Sequence, residues 1–588
     1  MLAGKLNRSS FCRRGWSLPK VIALVAVLSC CIRSNAQDTP TDNQTASIHG
    51  SVLNSVTREP ISRALVVSSD NRFATMTDDQ GHFEFVLPET SPDKSADGAE
   101  GSNGTVSRLS SDPPFIFPTA LTARKPGFLP DSPGVQNSQP VTPNQELTIL
   151  LVPEASIVGR VVFPTSDGSD KVEVEIYRRQ VQEGRAHWIS AGRVTTRSNG
   201  EFHFAELAAG TYKLFTHELL DRDPLTFNPH GQLYGYPPVY FPAANDFASG
   251  STISLSAGKI FHADLTPVRR AYYPVKVRLN NVAAGVPTAV VVSLHGHHGP
   301  GYSLGYNDRT QTIEGMLPDG TYTLEAINFG PNGATGLLNI TVKGAAVEGP
   351  TTTLVPNGSI SVNLREQFTG ENNPETNGLG GADGIRRDRE RYVNVRLEPA
   401  DDFGMERGAT PRSPSAPDDN SIVLDDVQPG RYWVRVDSSR GFAASITSGG
   451  VDLLHHMLVV GLGASPPPIE LTMRDDGAQI DGTVEGVATP YAGTGVSLLP
   501  STSPYIYCIP LPDSSGQFRE VWVSLQGKFS STQLAPGTYR VLAFDRPHSE
   551  LEYRNPDAMR AYESKGLVVR LVSGQKEHLQ LHLISTDE

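Results

Sequence analysis

Residues Asn199 to Leu214 read N-G-E-F-H-F-A-E-L-A-A-G-T-Y-K-L, and weaker copies of the stretch recur along the chain. Phe202 and Phe204 alternate with Glu201 and His203, the period of two of a half-buried strand. Gly210 supplies a position where φ can be positive, and Tyr212 and Leu214 restart the alternation, so the stretch predicts a β-hairpin with an aromatic face turned inward. The copies are Ile313 to Leu324, Ile422 to Val434 and Gly527 to Val541. Their G-x-Y tyrosines are Tyr212, Tyr322, Tyr432 and Tyr539, spaced by 110, 110 and 107 residues. A step of that length is one small β-sandwich, which predicts an all-β chain of Ig-like or transthyretin-like modules in series.

Length and composition agree with that reading. A chain of 588 residues is too long for one hydrophobic core, and five modules fit the repeat. Glycine (55) and proline (45) are abundant enough for many short strands joined by turns.

The first 36 residues carry a different pattern. Lys5, Arg8, Arg13, Arg14 and Lys20 precede an apolar run from Val21 to Ile32 that is too short to span a bilayer, and Ser34-Asn35-Ala36 offers a small-residue cleavage site. This predicts a signal peptide and an exported product in the periplasm, at the cell surface or secreted, with lipid attachment at Cys30 as the alternative. Cleavage would remove six Lys or Arg and no acid, taking the formal net charge from −13 to −19. An acidic surface without a basic stripe excludes nucleic acid as a natural partner. Cys12, Cys30 and Cys31 lie in the leader, so Cys508 alone would remain and no internal disulfide is expected. No later run is long and apolar enough to predict a membrane-spanning helix.

Module one is expected over residues 46–153. It opens on Ile48-x-Gly50-x-Val52, continues through Pro60-Ile61, Ala64 and Val66, and reaches Thr75-x-Thr77-Asp78-x-x-Gly81-x-Phe83-x-Phe85. On these residues it resembles the carboxypeptidase regulatory-like domain, a transthyretin-like sandwich related to carbohydrate-binding-like folds. That resemblance implies fold and a binding role, not peptidase activity. A Ser/Asp/Gly-rich insertion at 89–114 departs from the pattern and predicts a disordered loop. Further modules are expected over 154–267, 268–355, 356–473 and 474–588. The fourth is interrupted by a polar tract at 370–388 that is expected to be disordered, and the fifth carries a helix at 555–565 with Asn555 as N-cap and Gly566 as stop.

Three constellations bear on catalysis or metal binding. Gly301-Tyr302-Ser303-Leu304-Gly305 matches G-x-S-x-G, but no amphipathic helix follows to carry a nucleophile elbow. His295 and His297, in L-H-G-H-H-G, would share one face of an extended segment and could meet a metal, without an evident third ligand. His203 and Glu206 spell H-x-x-E within the repeat and are absent from its other copies. No cofactor motif is present, and the chain is expected not to be an enzyme. A hydrolase using Ser303 or a His295/His297 metal site is the remote alternative.

The segment from Phe227 to Phe247 points instead to binding. Tyr234, Tyr236, Tyr240 and Phe241 alternate with Gly235, Pro237, Pro238 and Pro242, a composition that could present an aromatic platform to sugar rings or to an apolar partner. The expectation is a non-catalytic, multi-module exported protein that binds polysaccharide or an envelope protein, with a structural or protein-interaction scaffold as the alternative. Phe83, Phe85, Phe202, Phe204 and the four repeat tyrosines are expected to build cores.

Overall fold

The computed structural model describes residues 47–86, 120–130, 137–141, 146–164, 171–221, 232–282, 286–296, 298–329, 333–369, 393–403, 408–413, 421–487, 504–524 and 526–585. The expected signal peptide, with Cys30, and the insertions at 89–114 and 370–388 lie outside them. Within them the chain is almost entirely β, with one short helical segment. Five large hydrophobic clusters follow one another along the sequence: Ile48 to Leu151, Ala155 to Leu265, Val275 to Leu354, Ile360 to Met473 and Ala478 to Leu581. We refer to these as modules one to five.

Each module uses the same wiring. Its first strand sits between an antiparallel neighbour, which carries the Gly-x-Phe or equivalent segment, and a strand near the module's own end, which runs parallel to it. In module one, Ser47–Asn54 lies between His82–Val86 and Leu147–Leu151. In module two, Ala155–Arg160 lies between Glu201–Leu207 and Ile260–His262. The same sandwiching holds for Arg270–Asn280, Gly358–Gln367 and Ala478–Glu485. The glycine of the opening motif is explained by this crowding. A Cβ on Gly50, Gly159 or Gly482 would run into a carbonyl of the parallel neighbour and lie within 3 Å of the ring of Phe83, Phe202 or Phe529. The opening glycine and the following aromatic are thus one packing unit.

The repeated stretch is not a hairpin. In module two, Glu201–Leu207 pairs with Ala155–Arg160 in one sheet, whereas Gly210–Thr216 pairs with Glu173–Gln182 in the other. The short Ala208-Ala209 link therefore carries the chain across the sandwich, and alternation along each strand buries residues from both sides of one core. A two-residue link between two alternating runs looks the same whether the strands pair or part. The tyrosine decides which occurs. Tyr212, Tyr322, Tyr432 and Tyr539 are at most 1% exposed, and each hydroxyl donates to the carbonyl four residues upstream, on Ala208 (2.7 Å), Pro318 (2.9 Å), Gln428 (2.8 Å) and Ala535 (2.5 Å). This is the tyrosine-corner arrangement of β-sandwiches, in which a buried ring pins the crossing loop to the strand that leaves it. In modules two, four and five, a residue six positions before the tyrosine (Glu206, Asp426, Gln533) takes a left-handed conformation at a bulge, turning the strand toward the crossing.

Cys508 is buried in the fifth core, where burial pushes its thiol up to about 12. The C-terminal helix is shorter than expected: Pro556–Met559 is α-helical and Arg560–Tyr562 continues as a 3-10 turn. Asn555 caps it, accepting from the N–H groups of Asp557 and Ala558. At its end the Arg540 guanidinium donates to the carbonyls of Tyr562 and Glu563, and Gly566 beyond it takes φ 72°. No helix among the described residues is long and apolar enough to cross a membrane.

Candidate functional site

The sequence places its binding expectation in the aromatic segment of module two, and the structure spends most of that segment internally. Leu233–Tyr236 forms a strand that pairs with Leu219–Leu220 on one side and with Arg270–Asn280 of module three on the other, so it extends the next module's sheet. Tyr236 is 8% exposed, with its ring 4.7 Å from that of Phe163. Phe241 packs edge-on against Phe261 at 5.8 Å. Tyr240, 4% exposed, stacks on Phe215 at 5.3 Å and donates its hydroxyl to the carbonyl of Pro300 in module three. Tyr234 keeps a solvent-facing side at 40% exposure, with the Arg269 guanidinium 4.7 Å from its ring centre. A platform needs several rings open on one side. This segment offers one: Phe241 packs on module two's own core, Tyr236 against Phe163, and Tyr240 reaches Pro300 of module three.

Tyr240 belongs to a second apolar cluster with Phe215 and Phe247, against which Tyr177, Trp188 and Phe403 pack. Phe403 comes from module four, 5.3 Å from Tyr177 and 5.5 Å from Phe247. Lys213 is buried beneath them. Its ammonium donates to the carbonyls of Phe247 (2.5 Å) and Ala248 (3.1 Å) and lies 4.7 Å from the centre of the Phe247 ring. Burial lowers its pKa, with Asp246 opposing.

The element that makes this joint possible is the hairpin of Glu173–Gln182 and Arg185–Thr195. Its two strands, of 10 and 11 residues, are the longest in module two. Their inner halves cover the module's own core through Val174 and Ile176, and their outer halves reach modules four and five. Trp188 donates its backbone N–H to the carbonyl of Asp402 (3.0 Å). At the tip, Gly184 has φ +73° and is pressed so closely against the ring of Tyr553 that a Cβ would lie 2.6 Å from it. Arg554 donates its backbone N–H to the Gly184 carbonyl (3.1 Å). Arg179 grips Glu552 of module five with both terminal nitrogens, Nη2 to Oε2 at 2.8 Å. Burial raises the Glu552 pKa, but its hydrogen bonds with Arg179 and Asn555 outweigh this and hold the carboxylate below its ordinary value. Arg185 lies over the Trp433 ring of module four at 4.1 Å, and Glu183 accepts from Arg396 at 3.0 Å.

At the base of the same hairpin, Glu175 is almost fully buried. Burial pushes its pKa up, and three donors more than reverse that: His217 (2.7 Å), Ser190 (2.6 Å) and Arg193 (3.0 Å). The trio contains a serine, an acid and a histidine, but the acid stands in the middle. His217 therefore has no path to take a proton from Ser190, and the arrangement orients the hairpin instead of activating a nucleophile.

The catalytic and metal candidates are scattered. Ser303 is exposed in a loop that runs directly into the strand Gly305–Asn307, so no helix N-terminus supports an elbow, while neighbouring Tyr302 packs on Tyr322 at 5.4 Å. His295 is exposed with φ 53°, and His297 lies outside the described residues. The adjacent His298 is engaged instead: its Nδ1 is 2.6 Å from Asp401 of module four and its Nε2 3.9 Å from Glu325. No group of three or more metal-ligating side chains occurs among the described residues. His203 points outward, and Glu206 is the left-handed bulge residue.

The sequence reading missed the long hairpin. Its signal was present: arginines at 178, 179, 185 and 193 and a tryptophan at 188 on strands whose outer halves are too polar for a core and too aromatic for open solvent.

No family model matches the chain, and no curated protein is similar to it. Among solved structures it is similar to the Bacillus anthracis TIE protein, at 10% identity over 74% of each chain, with a TM-score of 0.14. A streptococcal ancillary pilin is similar at 11% identity over 53% of this chain and 98% of its own, with a TM-score of 0.15. The pilus adhesin SpaC from Lactobacillus rhamnosus GG, in its open conformation, is similar at 13% identity over 52% of this chain and 42% of its own, with a TM-score of 0.15. Scores this low carry no argument about this chain, whose architecture rests on its own sheets and cores.

Proposed function

We propose that the chain is an exported, non-catalytic envelope protein that acts as a structural and protein-interaction scaffold. The observation that supports this reading is the hairpin of module two, which ties modules two, four and five together through Trp188, Arg179, Gly184 and Arg185. A chain that buries Tyr240 and Phe247, and packs Trp188 against them, at the contact with its own later modules gains stiffness, and its outer faces become the surface available to partners. Module one, on the resemblance carried by its residues from Ile48 to Phe85, is read as a carboxypeptidase regulatory-like unit.

The test is cell fractionation with chemical crosslinking at native expression level, followed by identification of what the protein is joined to. A scaffold gives reproducible crosslinks to envelope proteins and no retention on insoluble glycan. Polysaccharide retention abolished by Tyr234→Ala would replace this reading with carbohydrate binding. Ester or peptide hydrolysis lost in Ser303→Ala would replace it with catalysis.

A further inference from the structure

The junction at the hairpin tip carries a surplus of buried donors. Glu398 of module four is its central carboxylate, accepting from Arg435 Nε at 2.6 Å, with Arg554 Nη1 at 3.8 Å and His187 Nε2 at 4.0 Å. Arg185 enters the same space from module two, over Trp433. Burial and the nearby Arg435 lower the Arg185 pKa, and Glu398 opposes them. One carboxylate offers about four lone-pair sites, whereas each guanidinium brings five N–H donors.

The shortfall is visible atom by atom. Arg185 Nε, Arg435 Nη2, Trp433 Nε1 and His187 Nδ1 are all shut off from solvent, and none meets a hydrogen-bond partner among the described residues. The first three can only donate, and His187 is itself 5% exposed. Of the other carboxylates nearby, Glu183 is taken by Arg396 and Glu552 by Arg179, Asp402 acts on Arg185 through space, and Glu520 faces Glu183, with burial first and Glu183 second raising its pKa. A buried donor left unmet loses its water without gaining a partner, and the penalty is larger when the group is charged. Several unmet donors of one sign in one junction describe a place for an acceptor that carries negative charge.

We propose that this junction binds one small inorganic oxyanion, of the size and charge of phosphate or sulfate, between Arg185 of the module-two hairpin and Trp433 and Arg435 of module four. The anion would tie the hairpin tip to its receptor, so the docked arrangement would depend on anion identity as well as on ionic strength. The inference concerns the joint and stands whether or not the chain is an envelope scaffold.

Isothermal titration of the full chain with sodium phosphate, sodium sulfate and sodium chloride at matched ionic strength tests it. The expected result is one saturable site per chain for phosphate or sulfate, with a melting temperature that rises and levels off over the same concentrations. Trp433→Phe keeps an aromatic ring beneath Arg185 and removes the indole N–H together with the five-membered part of the ring system, so it should weaken binding about tenfold or more, the scale of one hydrogen bond to a charged group. Arg185→Gln should weaken it further while leaving the five cores folded, as judged by circular dichroism. Absence of saturable heat with both oxyanions overturns the proposal, as does saturable binding unchanged in both variants. Stabilisation that climbs linearly with concentration without saturating also overturns it, because that is exclusion of the salt from the protein surface.

Discussion

Two parts of module two make an instructive pair: the crossing stretch 201–216, copied in three later modules, and the hairpin 173–195, whose outer half reaches modules four and five. The first keeps its energetics local. Phe202, Phe204, Tyr212 and Leu214 all belong to one core, and the tyrosine hydroxyl bonds four residues back. The second covers its own core with one end and reaches modules four and five with the other. Repeated segments thus build modules, and the unrepeated reach of one hairpin assembles them. Damage to the first should unfold a module, while damage to the second should part modules that remain folded.

Tyr432→Ala is the harshest way to separate the two roles. Truncating a fully buried ring of module four should cost about 3–5 kcal/mol, read as loss of that module's cooperative transition in denaturant. Gly184→Ala comes next. It forces a Cβ into the left-handed region and against Tyr553, at about 1–3 kcal/mol for the backbone alone. Small-angle scattering should show a larger particle with unchanged β content; an unchanged radius would mean that the tip contact does not hold the modules together. Tyr322→Phe removes one hydroxyl bond and leaves the Pro318 carbonyl short of a donor, about 1 kcal/mol. A loss near zero would show that the ring alone sets the corner.

The pH effects are smaller and opposite in sign. His455 bonds Asp452 through Nδ1 (2.7 Å) and the Ser514 carbonyl of module five through Nε2 (3.2 Å). Both partners only accept, so the contact requires the imidazolium, and these bonds, Asp452 first, raise the His455 pKa above 6.5. Its contribution is complete below pH 6.5 and fades as pH rises through the raised value. Protection from hydrogen exchange at the joint of modules four and five, taken relative to the intrinsic base-catalysed rate at each pH, should therefore fall above neutrality in the wild type and stay constant in His455→Gln. Glu175 runs the other way. Burial raises its pKa and its bonds with His217 and Ser190 lead the groups that lower it overall, so its stabilisation is present above the ordinary carboxylate range and lost as pH falls through the depressed value. Melting curves between pH 5 and 3 should fall more steeply for the wild type than for Glu175→Gln.

What could be read from the residues follows the same division. The period-two aromatics and the spacing of the G-x-Y tyrosines state an all-β chain of sandwiches, because burial of alternate residues in one local core is a short-range property. Whether the strands beside Gly210 pair or part is not local. It depends on Ala155–Arg160 and Glu173–Gln182 competing for them as partners, and the hairpin reading failed there. Tyr236 and Tyr240 looked exposed because proline-rich segments usually are, and their burial depends on Phe163, Phe215 and Pro300, the last lying 60 residues beyond Tyr240. The reach from Arg179 to Glu552 spans 373 residues and has no short-range signature.

The parallel pairing of each module's first strand with one near its end has a mechanical consequence. A pull applied to the two ends of such a module drags these adjacent strands past one another lengthwise, loading their whole hydrogen-bond ladder at once instead of one rung at a time. Each sandwich is therefore arranged to resist stretching along its strands, and an extending force should unseat the hairpin tip before any module tears.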